Sequence, residues 1–535
     1  MNKQTLPVVI ACLLALFGVQ FIVNKIYPPI PRKPRPVAVA PAVASNGVTT
    51  IQSAPAPAPG PAAVTDRADR PAEQVVTLRN DFVRVEISSW GGGIKSVELL
   101  KHKAVLYGPA LTLPGNAVFA ISQPNAQTVV LQGDNGVTKV FSLGTNEDYR
   151  LTGKIVVPGD QKNLLITVGT AAPVDAKEAP NYLNVDWQGG PKFSNRDVNK
   201  VIKRTRSGEN QESIRAHWVA VKSQFFAMIL STPTNALSVT YTAVGLPGWP
   251  GQPKSANTNG VTAVAEVPVT RAADGSGICE FSWYAGPKDF DRLAALGQSQ
   301  EEAMDFGSWM DGYSGIFGWL LLRGLNFFHA LIPSYAIAII LVTIALKIVF
   351  WPIQAKSIES MKAMQKFQPQ VQKLKDKYKD DPARLNQETM KLYKEHKINP
   401  FSGCLPMLVQ MPVLIAFYKV LGGNCALRGE SFLWIKDLAQ PDTVAMLAGF
   451  AINPLPLLMV GSMIWQQKLT PQTGDPQQAK MMMFMPLIML MFFYSAAAGL
   501  TLYWTLQQFL SILQQWLSLR KQRQLAPVAL AGKSK

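Results

Sequence analysis

The sequence predicts a multi-pass α-helical membrane protein of six spans that carries a large exported β-sandwich domain. Three observations lead there. Long apolar runs cluster in residues 1–26 and 333–519, several of them near the ~20 residues that cross ~30 Å of hydrocarbon as a helix. Residues 75–304 instead show short alternating runs between Gly, Pro and Asn turns, the pattern of a half-buried sheet. Basic residues gather in short segments between the apolar runs, which is the positive-inside signature. The formal net charge of +17 therefore reads as topology, not as the footprint of a specific nucleic acid.

Residues 1–26 form the first expected membrane helix. No small-residue cleavage site follows the run, and Cys12 is followed by more apolar residues, so an uncleaved anchor with a cytoplasmic N-terminus is expected. Residues 27–74 are Pro- and Ala-rich without periodicity, and cannot bury enough apolar surface to offset their ordering entropy. They read as a tether.

In residues 75–304, Val83, Val85 and Ile87 fall on one strand face and Arg84 and Glu86 on the other, before a turn at Gly91–Gly93. His217, Asp186 and Glu209 form no paired-carboxylate or nucleophile motif. A structural or docking domain is expected; a sugar cleft rests on fold analogy alone. Cys12, Cys279, Cys404 and Cys425 have no zinc or CxxC spacing and read as isolated thiols, a Cys279–Cys425 bridge being the minor alternative.

Residues 305–332 are expected to hold an interfacial helix, because Ile316–Leu331 is short for a span and contains Arg323, Asn326 and His329. The alternative is that it begins the next span; Pro333 argues for a break. Residues 333–353 then form the second membrane helix. Residues 354–398 read as a cytoplasmic helical hairpin with eleven Lys/Arg against six acids, Asp381 capping its second helix and Pro382 in the first turn. Residues 399–519 supply four more spans, at 403–422, 444–465, 481–497 and 499–519, and a basic tail at 520–535 returns the C-terminus to the cytoplasm.

Polar residues inside these apolar runs are the candidate site. Lys347 sits about six residues, roughly 9 Å at 1.5 Å per residue, from the inner end of its helix. An intramembrane charge costs ~2.5–3.5 kcal/mol on insertion scales, so Lys347 either snorkels to the headgroups or has a function. Thr343 lies one turn away on the same face. Gln410 lies mid-helix in a Pro-rich span, and Thr501, Thr505, Gln507, Gln508, Gln514 and Gln515 make the last span polar. Met407, Met411, Met485 and Met489 belong to thioether-rich stretches that suit varied apolar partners, although lipid-facing filler reads equally well.

NPFSGCLPMLVQMP from Asn399, KINP closing the hairpin, GLTLYW opening the last helix, the cation of the helix before the hairpin, and YAGPK at Tyr284–Lys288 together resemble the YidC membrane protein insertase family. The motifs are dense in 334–518 and sparse in the β-domain, whose size is similar to that of the Gram-negative form. The resemblance implies a periplasmic β-sandwich and a five-helix insertase core in a bacterial inner membrane. It also implies a hydrophilic groove in the inner half of the bilayer, open to cytoplasm and lipid. Lys347 matches a groove cation that is usually Arg in the family, so the charge is kept and the bidentate fork is lost. Thr343, Gln410 and Trp504 match other groove positions, with Gln507 beside them. Clients would be nascent membrane proteins. The hairpin and tail are candidates to meet the Sec translocon, the ribosome or the signal recognition machinery. Neither a cofactor nor covalent catalysis is implied.

Two other classes compete. A small-solute transporter or channel would show related halves with broken helices at midplane, and the sequence has no such repeat. A periplasmic sugar-binding sensor would need only one or two spans.

Overall fold

The computed structural model describes residues 71–531 except 146–148, 175–177, 179–181, 190–191, 247–258, 305–312, 379–380, 397–404, 448–449 and 470–475. The expected anchor at 1–26 and most of the tether lie outside the described residues. The chain divides into two compact units between Ala303 and Met304.

The first unit is antiparallel β structure. One sheet runs in chain order through Val75–Arg79, Val83–Ser88, Gly93–Leu99 and Ala104–Ala110. Val83, Val85 and Ile87 face its core and are buried, as their alternation requires. The second sheet has twelve strands organised around the long strand Phe226–Gly245. Its first half pairs with Gly277–Pro287 and its second half with Asn259–Pro268, while Gln211–Lys222 follows its other edge across a bulge. One strand thus serves two parts of the sheet. Trp218, Trp283, Tyr241 and Phe141 fill the core.

Helix α1 (Val198–Ser207) is capped by the Asp197 side chain on the Asn199 and Lys200 N–H groups, and ends at Gly208 with φ 73°. Helix α2 (Phe290–Leu296) is capped by Asp289. At the turn after the second strand, Gly92 has φ +56°, and a Cβ there would lie 2.6 Å from the Phe119 ring. The backbone of that turn is held from beneath. The buried Lys139 Nζ donates to the carbonyls of Gly91 at 2.9 Å, Gly92 at 2.8 Å and Leu111 at 3.1 Å.

The second unit is helical. Helix α3 (Tyr313–Leu331) is followed, after a break at Pro333, by α4 (Tyr335–Lys366). Among the described residues, α4 contains the one helix, Tyr335–Met364, that is long and apolar enough to cross a membrane by length and composition. Helices α5 (Gln368–Lys377) and α6 (Pro382–Glu395) pack on each other as the expected hairpin, with the Asp381 side chain accepting from Arg384 N at 2.9 Å. The rest are α7 (Leu405–Gly423), α8 (Pro454–Leu469), α9 (Pro476–Phe493) and α10 (Ala498–Ala531).

Several boundaries differ from the expectation. Helix α4 passes through Pro352 and continues to Lys366, so the hairpin begins at Gln368 rather than 354. Pro369 near the start of α5 supplies the break. The expected span at 444–465 starts instead with a short β-hairpin, Ala445–Leu447 against Phe450–Ile452, and only Pro454–Leu469 is helical. Pro454 and Pro456 explain the late start, because both lack the N–H that an interior turn needs. Helix α10 runs past Leu519 to Ala531, through the start of the basic tail. Cys279 and Cys425 are both buried free thiols, so no bridge joins them.

Candidate functional site

The polar residues of the helical unit converge on α10. Its residues 503, 507, 511, 514 and 518 follow at spacings of three and four, and so share one face. Helices α4 and α7 pack against α10.

At one end of the stripe, Gln410 of α7 and Tyr503 of α10 hydrogen-bond through Gln410 Nε2 and the Tyr503 hydroxyl. The Tyr503 ring is stacked on Phe417 at 3.7 Å between centroids. Gln507 Nε2 donates to Gln410 Oε1 at 3.3 Å. One turn on, Ser511 Oγ donates to the Gln507 carbonyl at 2.8 Å and accepts from Lys347 Nζ at 2.8 Å. Lys347 Nζ also donates to Gln354 Oε1 at 2.5 Å. Farther along, Gln514 Nε2 donates to the Trp351 carbonyl at 3.3 Å, and Lys362 Nζ to Ser518 Oγ at 2.8 Å. A chain of polar contacts thus links α7, α10 and α4.

Lys347 is only 3 % exposed, which decides against a freely snorkelling ammonium. Its acceptors are both neutral, and among the described residues no carboxylate pairs with it. Gln354 lies seven residues toward the hairpin, so the side chain leans that way without reaching bulk water. A single cation held by uncharged acceptors keeps its field, whereas an ion pair would cancel it.

The other expected residues divide. Gln410 and Gln507 join the network directly. Thr343 is buried and donates its hydroxyl to the Ile339 carbonyl of its own helix at 2.6 Å, so that proton is occupied. Tyr503, the neighbour of Trp504, is the aromatic that hydrogen-bonds Gln410. The Trp504 ring lies 5.6 Å from that of Phe493, and its buried Nε1 has no hydrogen-bond partner among the described residues. Met411 is exposed, and Met485 and Met489 are half-buried. The Met407 side chain lies outside the description. The exposed face of α9 is Met483, Phe484, Leu487, Ile488, Met491 and Phe492.

Gln354, Ser511 and Tyr503 were not expected. Ser511 carried a usable signal, four residues beyond Gln507 on the same face. Tyr503 and Gln354 did not, since both look like ordinary residues at a helix boundary.

The β-unit offers little chemistry beside this. Asp186 and Lys222 form a buried ion pair at 2.5 Å, a packing feature of the sheet. A cavity lined by Tyr107, Pro173, Ser223, Phe226 and Met228 has a volume of about 30 Å³. That is room for about two waters and not for a sugar ring.

Two family descriptions match the chain: the YidC periplasmic domain over residues 122–320 and the 60Kd inner membrane protein over residues 327–524. A membrane protein insertase YidC of Maridesulfovibrio salexigens is 30% identical across 97% of this chain and 99% of its own. The chain belongs to the YidC membrane protein insertase family. The YidC insertase of Geotalea daltonii is 31% identical over 96% of this chain and 98% of its own. A crystal structure of an active YidC insertase with its first transmembrane domain resolved aligns with 84% of this chain and 93% of its own, at 17% identity and a TM-score of 0.36. Membership assigns the protein to the inner-membrane insertases and its β-unit to the YidC periplasmic domain.

Proposed function

We propose that this protein inserts newly made membrane proteins through a polar groove walled by α4, α7 and α10, with Lys347 as its charged residue. The observation that carries this reading is the buried Lys347 ammonium held by Gln354 and Ser511, with no carboxylate beside it among the described residues. A client brings an apolar segment and a short polar tail to the basic hairpin. The tail enters beside Lys347, where the positive field and the Gln and Ser side chains reduce its desolvation cost. The apolar segment moves along Met411 and the exposed face of α9, and thence into lipid. Hydrophobic transfer supplies most of the drive. The membrane potential adds ~2.3 kcal/mol per acidic charge carried outward for each 100 mV. Every step is a transfer between environments, with no bond made or broken.

In this reading α4, α7, α8, α9 and α10 form the five-helix core and join the N-terminal anchor as six spans. Both termini and the hairpin are cytoplasmic, and α3 lies at the periplasmic interface. The excess of Lys and Arg in 354–398 supports that orientation. The hairpin and tail are the surfaces suited to the Sec translocon, the ribosome or the signal recognition machinery. The test is a photo-crosslinking amino acid at position 507, next to Gln410. Stalled nascent membrane proteins should be captured there, and capture at exposed sites on α6 alone would overturn the groove.

A further inference from the structure

We propose that two apolar stretches of the helical unit, residues 432–435 and the paired strands Ala445–Leu447 and Phe450–Ile452, form a phospholipid anchor at the headgroup–acyl boundary. This rests on the reading above, in which α8 spans the membrane.

The turns expose large apolar side chains where a solvated loop would be polar. Leu433 is 76 % exposed, Met446 65 %, Leu447 68 % and Phe450 77 %. In the hairpin register Leu447 faces Phe450 and Ala445 faces Ile452, so these four share one face. Leu433 is also held at φ 51°, a conformation that costs a non-glycine residue about 1–2 kcal/mol. Its exposed side chain offsets none of that by packing within the described residues.

The bases of both turns are fixed. The buried Asp442 Oδ2 accepts from Trp434 Nε1 at 3.1 Å and from Leu455 N, at the start of α8, at 2.7 Å. Thr443 Oγ1 donates to Asn453 Oδ1 at 2.8 Å, and Asn453 Nδ2 to the Tyr494 carbonyl at 2.6 Å. The Tyr494 hydroxyl donates to the Ala451 carbonyl. One carboxylate thus ties the two apolar tips to each other and to the helix.

Continuity with α8 and the helix's length select lipid as the occupant. The chain has no charged residue between Asp442 and Lys468. The exposed side chains of α8, Leu457, Leu458, Ile464 and Trp465, continue the apolar surface of the hairpin. Helix α8 has 16 residues, about 24 Å at 1.5 Å per residue, and is short of ~30 Å of hydrocarbon. The hairpin adjoins the N-terminal end of this helix. Its outer strand edges turn backbone groups away from the ladder, and hydrocarbon tolerates such groups only where they are satisfied. The backbone therefore stops at the interface, and only the side chains of Leu433, Leu447 and Phe450 enter the acyl region. Exposed Lys436 and the Trp434 indole, flanking the tip, suit the phosphate level.

The test uses the full-length protein in phosphatidylethanolamine–phosphatidylglycerol vesicles, with its four native cysteines replaced. Nitroxides are placed singly through Leu447→Cys, Phe450→Cys and, on α8, Leu458→Cys. Collision with oxygen is compared with collision with a water-soluble nickel chelate. Oxygen dominating at 447 and 450, at a shallower depth than at 458, supports the anchor. Lipid exposure at 458 with nickel dominating at 447 and 450 overturns it while leaving α8 as a span. Low collision with both reagents at 447 and 450 also overturns it, since protein then covers the tips. Nickel dominating at 458 overturns the span itself.

Discussion

Lys347 Nζ donates to Ser511 Oγ across 2.8 Å, tying the one charged residue in the apolar half of α4 to the polar stripe of α10. The contact fixes where the charge sits, because a lysine head on four rotatable bonds has no preferred position of its own. With Gln354 on the other side, two neutral acceptors do for this lysine what a planar guanidinium fork does for itself.

Ser511→Ala and Gln354→Ala should therefore weaken insertion by misplacing the charge, not by removing it. A hydrogen bond to a charged group contributes ~1.5–3 kcal/mol, and with one acceptor left each variant is expected to lose a few-fold in initial insertion rate. The check is a double-mutant cycle. In a Lys347→Ala background the two substitutions should have almost no further effect. Equal losses in both backgrounds would show that Ser511 and Gln354 act independently of Lys347.

In the β-unit, Asp186 and Lys222 are buried together at 2.5 Å, and Lys222 Nζ also donates to the Ala303 carbonyl at 2.9 Å. Removing one member leaves an uncompensated buried charge, at a cost of ~3–5 kcal/mol. Asp186→Leu or Lys222→Met alone should sharply lower the denaturation midpoint of the β-unit, followed by tryptophan fluorescence in the full-length protein. The double substitution should recover most of the loss. A double variant as unstable as the sum of the two singles would contradict the pairing.

Lys139 gives a pH signature. Burial pushes its ammonium down to about 7 from an ordinary 10.5. Between these two values the unfolded chain binds a proton that the folded chain has lost. Stability should therefore rise with pH from about 7 toward 10.5, and be flat with respect to this group below 7. Lys139→Met should remove that slope in denaturant titrations of the full-length protein, whatever its effect on absolute stability. An unchanged slope in the variant would assign it to other groups.

The Cys279 thiol is pushed up to about 12, by burial first and then by Glu280. The thiolate is the reactive form, so native protein at pH 8 should resist maleimide at this position and react only on unfolding. Peptide-resolved mass spectrometry reads this directly. Rapid native labelling of Cys279 would contradict its burial.

Much of this was legible in the sequence. The alternation of Val83, Val85 and Ile87 gave their buried face, and Asp381–Pro382 gave the start of the hairpin's second helix. Lys347 stood out because a charge in a long apolar run is costly. What escaped was set by tertiary contact. Pro352 looked like a terminus, yet α4 passes through it, as helices do when neighbours satisfy the freed carbonyl. The run 444–465 is uniformly apolar, so hydropathy could not separate a β-hairpin from the helix after it. Trp504 and Tyr503 are adjacent in sequence, and only the rotation of α10 decides which of them meets Gln410.

The central claim is that Lys347 acts through its positive charge. The measurement is insertion of a client with an acidic N-terminal tail into proteoliposomes containing purified protein, compared for wild type, Lys347→Arg and Lys347→Ala at matched protein levels. Arginine keeps the charge and should retain most of the rate, while alanine should lose most of it. Equal rates for all three would contradict the account.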